Sequence, residues 1–590
     1  MATESSPSQV TAKLLFRLLP MQILLVLVGC VNGIISSLFA GNAISSHAMS
    51  AVGLYGPVTM LLGAISTMLV GGSQILCGKY MGKNLIEKIQ NVFSLNLSVS
   101  LIVSAVFTVL VLLAGLFDLS GFLTDDPLLR PIFNQYLVGQ AAGILPLLMG
   151  NQLAAFLSLE NEGRRTTVAS MICIVVNVAL NWLFVILLQL GTLGLALAAS
   201  LSSWAFFAVE LPYFFSSGSS LRFSFRLRGW RDGTEIVKVG LPGAIGYGYQ
   251  TLRGLIVNAL LLQFVGSVGL SAFSTANTLL NFPWAIPGGM LAVSRMLFSV
   301  SIGEEDRQSL IDTMRAAMRR YLPLMCGVAA LLIALAVPLT RMYYRDPSDP
   351  VYEMTVWGFR ILPLCMPLAV ISMHFSCYGQ AIGKHLLVHI LAVLDGVVCV
   401  AGFTALLIPK IGMNSVYIAN VLNGIVSALV VLVYACLKRK KLPRNMEELM
   451  VIPDTFGVPP EDRISLTLRS MEDVVRISQK IQNFCLEKGI DPRRSYLAGL
   501  CMEEMAGNVI LHGFSRDRKK HSVDVRVVYR DNGLILRIKD DCVAFNPADR
   551  REIADPEDVT RNIGIRMVYD LAASVSYQSV FGLNVLTIVV

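Results

Sequence analysis

Long apolar segments separated by short polar loops dominate the chain from about residue 14 to residue 437. A helix needs about 20 apolar residues to cross the hydrocarbon core of a bilayer. We predict about twelve such helices, at 14–39, 50–76, 93–117, 133–157, 167–189, 192–215, 236–263, 268–299, 319–340, 355–380, 384–408 and 412–437. The segments are too long for the tilted strands of a membrane barrel, so the pattern predicts a polytopic all-α membrane protein.

The pattern changes abruptly after Leu437. Residues 438–462 are rich in charged residues and proline, and we predict that they form a cytoplasmic linker. From residue 463 the chain has a mixed α/β pattern. We predict strands at 464–468, 523–529, 534–539 and 585–590, and helices at 471–488 and 493–511. The sequence Asp531-Asn532-Gly533 predicts a tight turn between two of these strands.

The composition supports a membrane environment. Apolar residues make up 54% of the chain and charged residues 15%, compared with about 25% charged residues in soluble proteins. The net charge of +8 does not indicate a nucleic-acid partner, because the basic residues lie at helix ends and on one side of the predicted spans. The 11 cysteines show no CxxC or metal-ligand spacing, which predicts small core residues and no disulfide framework.

Basic residues alternate between the predicted loops and therefore set the topology. Lysine and arginine are retained on the cytoplasmic side. The opposite loops are short and poor in basic residues, as at 40–47, 190–192 and 264–267. The basic set comprises Lys79, Lys83 and Lys88; Arg164 and Arg165; Arg222, Arg226, Arg228 and Arg231; Arg307, Arg315, Arg319 and Arg320; Lys384; and Lys438 to Arg444. We predict that both termini are cytoplasmic.

The membrane region contains an internal repeat. Short glycine-containing loops recur at an offset of about 220 residues: 82–86 with 302–306, 163–165 with 383–385, and 191–194 with 411–414. Because six spans separate the copies, both halves enter the bilayer from the same side and form parallel repeats. We predict two six-helix bundles, at 10–220 and 230–437.

Several of these segments resemble the multidrug and toxic compound extrusion (MATE) transporters. The similar segments are Ser50 to Pro57, Gly71 to Gln74, Gly82-Lys83-Asn84, Val175 to Asn181 and Leu190 to Ala196. The resemblance implies two bundles around a central cavity, a bacterial inner-membrane location, and export of organic, often cationic, compounds coupled to H⁺ or Na⁺. Two departures concern that coupling: residues 14–39 contain no acidic residue, and Asn181 stands where many members carry an acid.

Polar residues at membrane depth are candidates for the transport cavity, because charges there are costly and tend to be paired or functional. Asp395 and Arg253 lie near the middle of the eleventh and seventh spans. They can form a structural ion pair, or Asp395 can titrate or contact the substrate; the sequence leaves both open. The further candidates, for which hydrogen bonding between helices is the alternative, are Asn177, Asn181, Gln250 and His374.

The tail carries one compact motif, Glu503-Glu504-Met-Ala-Gly-Asn508-Val-Ile-Leu-His512-Gly513. Glu504 and Asn508 are four residues apart and share a helical face. A carboxylate beside an amide oxygen suits Mg²⁺ and the orientation of a nucleophile around a triphosphate. Asp540 follows a strand, and Gly564 opens a helix, a position that suits a phosphate.

Together these motifs resemble histidine-kinase-like ATPases, specifically the anti-sigma-factor serine kinases, over residues 463–590. The resemblance implies an α/β two-layer sandwich that binds ATP and Mg²⁺. Carried over, Glu504 is the general base, Asn508 the Mg²⁺ ligand, Asp540 the adenine-recognition residue, His512 and Gly564 nucleotide contacts, and 548–562 a mobile lid. Cys542 and Asn562 stand where that family has glycine.

Three functions agree with these patterns. The first is a secondary antiporter that exports amphipathic or cationic compounds and is regulated by a nucleotide-binding tail. The second is a membrane receptor whose tail phosphorylates or sequesters a cytoplasmic protein partner. The third is a flippase for lipid-linked precursors. The sequence contains no Walker-type phosphate loop, so ATP is not expected to drive transport directly, and whether the tail is an enzyme stays open.

Overall fold

The structure is a computed structural model that describes residues 9–122, 126–216, 218–224, 231–344, 346–514, 521–530, 533–543, 545–548, 563–580 and 582–590. Of the sequence predictions, the Asp531-Asn532 turn, Arg226, Arg228, Asn562 and nearly all of the lid at 548–562 lie outside these residues.

Sixteen helices precede the tail within the described residues. They are α1 (Gln9–Phe39), α2 (Ser46–Leu54), α3 (Gly56–Gly82), α4 (Ile86–Leu116), α5 (Leu129–Leu159), α6 (Gly163–Asn181), α7 (Gly191–Glu210), α8 (Arg231–Phe264), α9 (Ser267–Gly303), α10 (Arg307–Ala334), α11 (Ala336–Arg341), α12 (Pro350–Ile361), α13 (Cys365–Ile382), α14 (His385–Val393), α15 (Cys399–Ile411) and α16 (Asn414–Arg439). We call this part of the chain the membrane body.

Eleven segments of the described chain are long and apolar enough to cross a membrane. The remaining predicted span, the seventh at 236–263, corresponds to α8, whose 34 residues reach about 50 Å. It is less apolar because its first eight residues include Arg231, Asp232, Glu235 and Lys238. The structure therefore agrees with a polytopic helical fold of about twelve spans.

The predicted start of the ninth span, at residue 319, is wrong. Helix α10 begins at Arg307, so the basic residues assigned to a loop lie in its first turns. The reason is a helix cap: the Asp306 carboxylate accepts from the Ser309 backbone N–H at 3.1 Å and from its hydroxyl at 2.9 Å. Such a cap satisfies a backbone donor that has no partner within the helix.

The membrane body consists of two bundles, α1–α7 and α8–α16, which meet where α3 packs against α8 and α9 and where α1 packs against α9. Glycine permits the close approach between them. A Cβ atom on Gly240 would lie 1.9 Å from the Met68 carbonyl oxygen, and one on Gly72 would lie 2.1 Å from that of Ile236. At the tail-side end, a Cβ on Gly303 would lie 2.2 Å from the Lys79 carbonyl oxygen. We call this tail-side end, formed by residues 78–84 and 299–306, the seam.

The tail contains one antiparallel sheet and three long helices. Its strands are β1 (Arg463–Leu468), β2 (Val523–Arg530), β3 (Gly533–Asp540), β4 (Ser574–Val580) and β5 (Leu583–Val589), in the order β1-β2-β3-β5-β4. Helices α18 (Met471–Glu487), α19 (Pro492–Asn508) and α20 (Ile563–Leu571) contribute to one core with the sheet, in which Ile477, Met502, Val525, Leu536 and Ile588 are buried. This arrangement is the predicted two-layer α/β sandwich.

The segment between the two parts packs against the second bundle. It contains the short helix α17 (Met446–Met450), and Met450 and Ile452 are buried in a cluster with residues of that bundle. Arg307 Nε forms a 2.7 Å salt bridge with Glu447. The Lys384 ammonium donates to the carbonyl oxygens of Met450, at 2.8 Å, and Val451. Burial lowers the pKa of Lys384 to about 8.

The glycine contact at Gly72 predicts a measurable stability difference. Gly72→Ala should destabilise the purified protein by about 1–3 kcal/mol, because the added methyl group meets the Ile236 backbone and the helices must separate. Gly254→Ala is the matched control, since a Cβ there meets nothing within 4 Å. Thermal unfolding in detergent measures both, and equal melting temperatures for the two variants would contradict this packing.

Candidate transport and nucleotide sites

Asp395 lies at an irregular segment within its span. Helices α14 and α15 are joined by a π-helical segment, Leu394–Val398, and such segments are frequent at functional sites. Arg253 Nη1 donates to the backbone carbonyl of Asp395 at 3.2 Å. The Asp395 carboxylate instead accepts from Asn423 Nδ2 at 2.5 Å. The structure brings Arg253 and Asp395 together, but an ion pair between them, one of the two alternatives that the sequence left open, is not among the salt bridges of the described residues.

The other predicted cavity residues do not join this group. Asn181 Nδ2 donates to Asn177 Oδ1 at 2.5 Å, and both residues are fully buried in the first bundle. His374 is buried with its Nδ1 2.7 Å from the Val370 carbonyl oxygen, and its ring lies 5.8 Å from that of Tyr321. Gln250 is exposed. The candidates therefore occupy separate positions in the two bundles.

One feature relates the two bundles and was missed in the sequence. A π-helical segment, Trp182–Leu187, directly follows Asn181 in the fifth span, just as Leu394–Val398 interrupts the eleventh. A π segment frees backbone carbonyls from the regular hydrogen bonds of a helix. The pattern of apolar and polar residues does not reveal such a segment. Asn423 was also missed, because its partner Asp395 is 28 residues away in sequence.

In the tail, the structure brings together Glu504 and Gly564. Glu504 lies near the end of α19, and a Cβ atom on Gly564, at the start of α20, would lie 1.9 Å from Glu504 Oε2. The Glu504 carboxylate therefore lies directly against the start of α20. Asn508 ends α19, and a π-helical segment, Val509–Gly513, follows with His512 exposed.

Asp540 ends β3 and is buried. Its Oδ1 accepts from Asn584 Nδ2 at 2.7 Å and from the Cys542 backbone N–H at 3.0 Å. Asn584 stands opposite Asp540 in the register of β3 and β5, and sequence reasoning missed it. Burial raises the pKa of Asp540. Both of these bonds use Oδ1, and the Cys542 side chain also hydrogen-bonds the carboxylate.

Cys542 stands where the anti-sigma-factor serine kinases have glycine. Its thiol lies beside Gly513, at the end of the π-helical segment. A Cβ on Gly513 would lie 3.0 Å from Cys542 Sγ. Of the predicted lid, Ala548 is described, and its N–H donates to Asn546 Oδ1 at 3.1 Å. Glu504 and Asn508 both lie on α19, and their roles as general base and Mg²⁺ ligand stay predictions.

The fold and these sites define a two-bundle membrane protein joined to an ATPase-like domain. The MatE family matches residues 22–183 and again residues 242–405, two matches that begin 220 residues apart. The chain therefore belongs to the MatE family, and the internal repeat is confirmed. Residues 468–590 match the histidine kinase-like ATPase domain.

Two curated relatives and one solved structure illustrate the similarity. The chain is 25% identical over 259 residues to "Probable multidrug resistance protein NorM" of Bacillus licheniformis, covering 41% of this chain and 55% of that protein. It is 22% identical over 322 residues to "Protein DETOXIFICATION 30" of Arabidopsis thaliana, covering 53% and 61%. The chain thus spans little more than half the length of these relatives.

The solved structure is described as the outward-facing conformation of a multidrug resistance MATE family transporter of the MOP superfamily. It shares 20% identity with this chain and a TM-score of 0.67, and the match covers 73% of this chain and 96% of that one. At this identity the similarity establishes the fold of the membrane body.

The Asp540–Asn584 pair predicts two graded effects on the tail. Asn584→Leu should destabilise the sheet by about 1–3 kcal/mol, because it leaves a buried carboxylate without its side-chain donor. Tyr577→Phe removes only the hydroxyl that lies 2.7 Å from Asn584 Oδ1 and should cost about 1 kcal/mol. Hydrogen exchange of β3 and β5 in the whole protein measures both, and a larger effect of Tyr577→Phe would contradict this ranking.

Proposed function

We propose that the protein is a secondary antiporter that exports organic, amphipathic or cationic compounds in exchange for H⁺ or Na⁺, and that its tail binds ATP with Mg²⁺ and regulates this exchange. We further propose that it resides in a bacterial inner membrane with both termini in the cytoplasm. The relatives named as multidrug resistance proteins support the class of cargo, and the alternating basic loops support the orientation.

The observation that carries the transport proposal is the group formed by Asp395, Arg253 and Asn423. A half-buried carboxylate at an irregular helix segment combines a negative charge, a fixed hydrogen-bond donor and a nearby guanidinium group. Such a group can bind a cation or a proton at a depth where unpaired charge is costly. It also lies beside α8, which packs against the first bundle through α3, so occupancy there is positioned to affect how the bundles meet.

Two contacts between separate segments of the tail carry the nucleotide proposal. Glu504 lies against Gly564, and the buried Asp540 carboxylate accepts from Asn584. A buried carboxylate can accept a hydrogen bond from the amino group of adenine, and the backbone N–H groups at a helix start can bind phosphate. We also propose that this domain binds a cytoplasmic protein partner.

The substitution Asp395→Asn tests the role of the negative charge. It keeps a side-chain oxygen that can still accept a hydrogen bond from Asn423. We expect ion-driven substrate movement into vesicles to fall at least about tenfold, with an unchanged melting temperature, because the amide oxygen can still accept from Asn423. The matched control is Glu353→Gln, which removes an exposed charge from α12. Transport by Asp395→Asn at the wild-type rate would rule out this role of the carboxylate.

Asp540→Asn tests nucleotide recognition by the tail. Loss of the charged acceptor should weaken binding of a fluorescent ATP analogue to the whole protein at least about tenfold, because hydrogen bonds to charged groups contribute about 1.5–3 kcal/mol. Glu487→Gln, an exposed change at the end of α18, is the control. Absence of Mg-ATP binding to the wild-type protein at millimolar concentration would contradict the proposal directly.

A further inference from the structure

The sheet of the tail has two chemically different faces. Val525, Leu536 and Ile538 point towards the helices and are buried with them. Residues of the opposite parity on the same two strands include four basic side chains and a single acidic one, Asp524, opposite Lys539; the basic ones are Arg526, Arg530, Arg537 and Lys539. Alternate residues of a strand lie on opposite faces, so these four side chains form a basic surface on the face away from the helices.

The register of β2 with β3 places like charges opposite each other on this surface, which destabilises the sheet when nothing covers it. Arg526 stands directly opposite Arg537 in the pairing of β2 with β3, and like charges at opposed positions destabilise a sheet. Both arginines are nevertheless largely buried, with side chains 10% and 15% exposed. The arrangement therefore requires an acidic partner that covers the face.

The second bundle supplies that partner at the seam, through the acidic turn Glu304-Glu305-Asp306 between α9 and α10. Glu304 accepts from Lys539 Nζ at 2.5 Å and lies 3.6 Å from Arg537 Nη1. Asp306 lies 3.2 Å from Arg526 Nη1. Arg526 also donates to the backbone carbonyls of Glu304 and Glu305, at 3.3 and 3.1 Å, and Arg530 pairs with Glu305.

The Asp306 carboxylate of this turn is held in its ionised form. Burial alone would raise the pKa of Asp306, but Arg526 and Lys539 outweigh burial and lower the pKa to about 2. The Glu304 side chain is only 4% exposed. Removing the basic partners would leave buried, unpaired carboxylates, which is strongly unfavourable.

The same sheet also contacts the first bundle. Arg537 Nη2 donates to the Gly82 carbonyl oxygen at 3.4 Å, and Gln578 on β4 donates to the Asn84 side chain. The turn at Gly582 lies against Asn161, whose amide nitrogen would be 2.7 Å from a Cβ on that glycine. Arg537 therefore contacts the α3 end of one bundle and the α9–α10 turn of the other.

We propose that this sheet face is an interaction surface whose partner is the seam of the chain's own membrane body, and that the docked tail holds the two bundles together at that end. If the bundles moved apart at the seam, Gly82 and Asn84 would separate from Glu304. A single rigid sheet could then not keep its contacts with both bundles. The docked tail makes more contacts when the seam is closed than when it is open. Docking therefore stabilises the state in which the seam is closed. This inference rests on the proposed transport function, in which the seam must open to the cytoplasm.

The docked face is directly connected to the nucleotide site. Lys539, which binds Glu304, immediately precedes Asp540 on β3. On β5, Leu583 and Val585 flank Asn584 and are buried with residues of the membrane body, while Asn584 itself holds Asp540. A nucleotide bound at Asp540 would therefore act on β3 and β5, and the opposite face of these strands contacts the seam.

Hydrogen exchange of the whole protein in lipid nanodiscs tests this proposal. In the double variant Arg526→Glu with Arg537→Glu, exchange in residues 78–84 and 299–306 should become at least about fivefold faster, because the seam loses its cover and opens more often. The matched control, Arg476→Glu with Arg493→Glu, makes the same charge change at exposed positions on α18 and α19 and should leave the seam unchanged.

Reversing the charges of the Arg530–Glu305 pair distinguishes loss of docking from unfolding of the tail. Arg530→Glu alone should accelerate exchange at the seam, and adding Glu305→Arg should restore protection by re-forming the pair in reverse. Protection of α18 and α19 reports whether the tail remains folded in each variant. Unchanged exchange at the seam in the double variant, with α18 and α19 still protected, would overturn the proposal.

The same variants separate this inference from the proposed function. If vesicle transport and ATP binding are present but the seam is insensitive to the sheet arginines, the docking inference fails and the transporter proposal stands. If the wild-type protein neither transports nor binds nucleotide, the proposed function fails, whereas acceleration at the seam would still support docking.

Discussion

The pairing of the opposed arginines Arg526 and Arg537 with the acidic turn at Glu304 is the interaction on which the arrangement of the whole molecule depends. Two like charges face each other across the strands, and the buried carboxylates of Glu304 and Asp306 face them from the membrane body. Each side would be unfavourable alone, since buried charge without a partner is costly. The pairing therefore fixes where the tail lies and what it touches.

This constraint gives a physical meaning to the internal repeat. The loops at 82–86 and 302–306 are equivalent by the repeat, and they meet at the seam through glycine, where Gly303 approaches the Lys79 carbonyl. The tail covers both copies with one sheet. The tail thereby adds to the duplicated fold an asymmetric element that contacts both halves.

The sequence alone predicted the features that depend on composition and short-range pattern: the long apolar helices, the repeat, and the two-layer tail with its Glu504 and Asp540 motifs. It mispredicted the start of α10, although Asp306 and Ser309 carry a recognisable cap signal. It could not predict contacts between distant segments. Lys384 and Arg307 were interpreted only as topology signals, yet both also bind the segment that leads to the tail. Likewise, the alternation in β2 and β3 shows a basic face, but its partner lies more than 200 residues away.

Zero-length carbodiimide cross-linking of the intact protein in native membranes, followed by mass spectrometry, tests the central claim most directly. This chemistry joins an amine to a carboxylate only when the two are in contact. The account predicts a Lys539–Glu304 cross-link, with Lys488–Asp462, a 2.6 Å pair within the tail, as the internal positive control. Recovery of the control cross-link without the Lys539–Glu304 cross-link would contradict the docked arrangement.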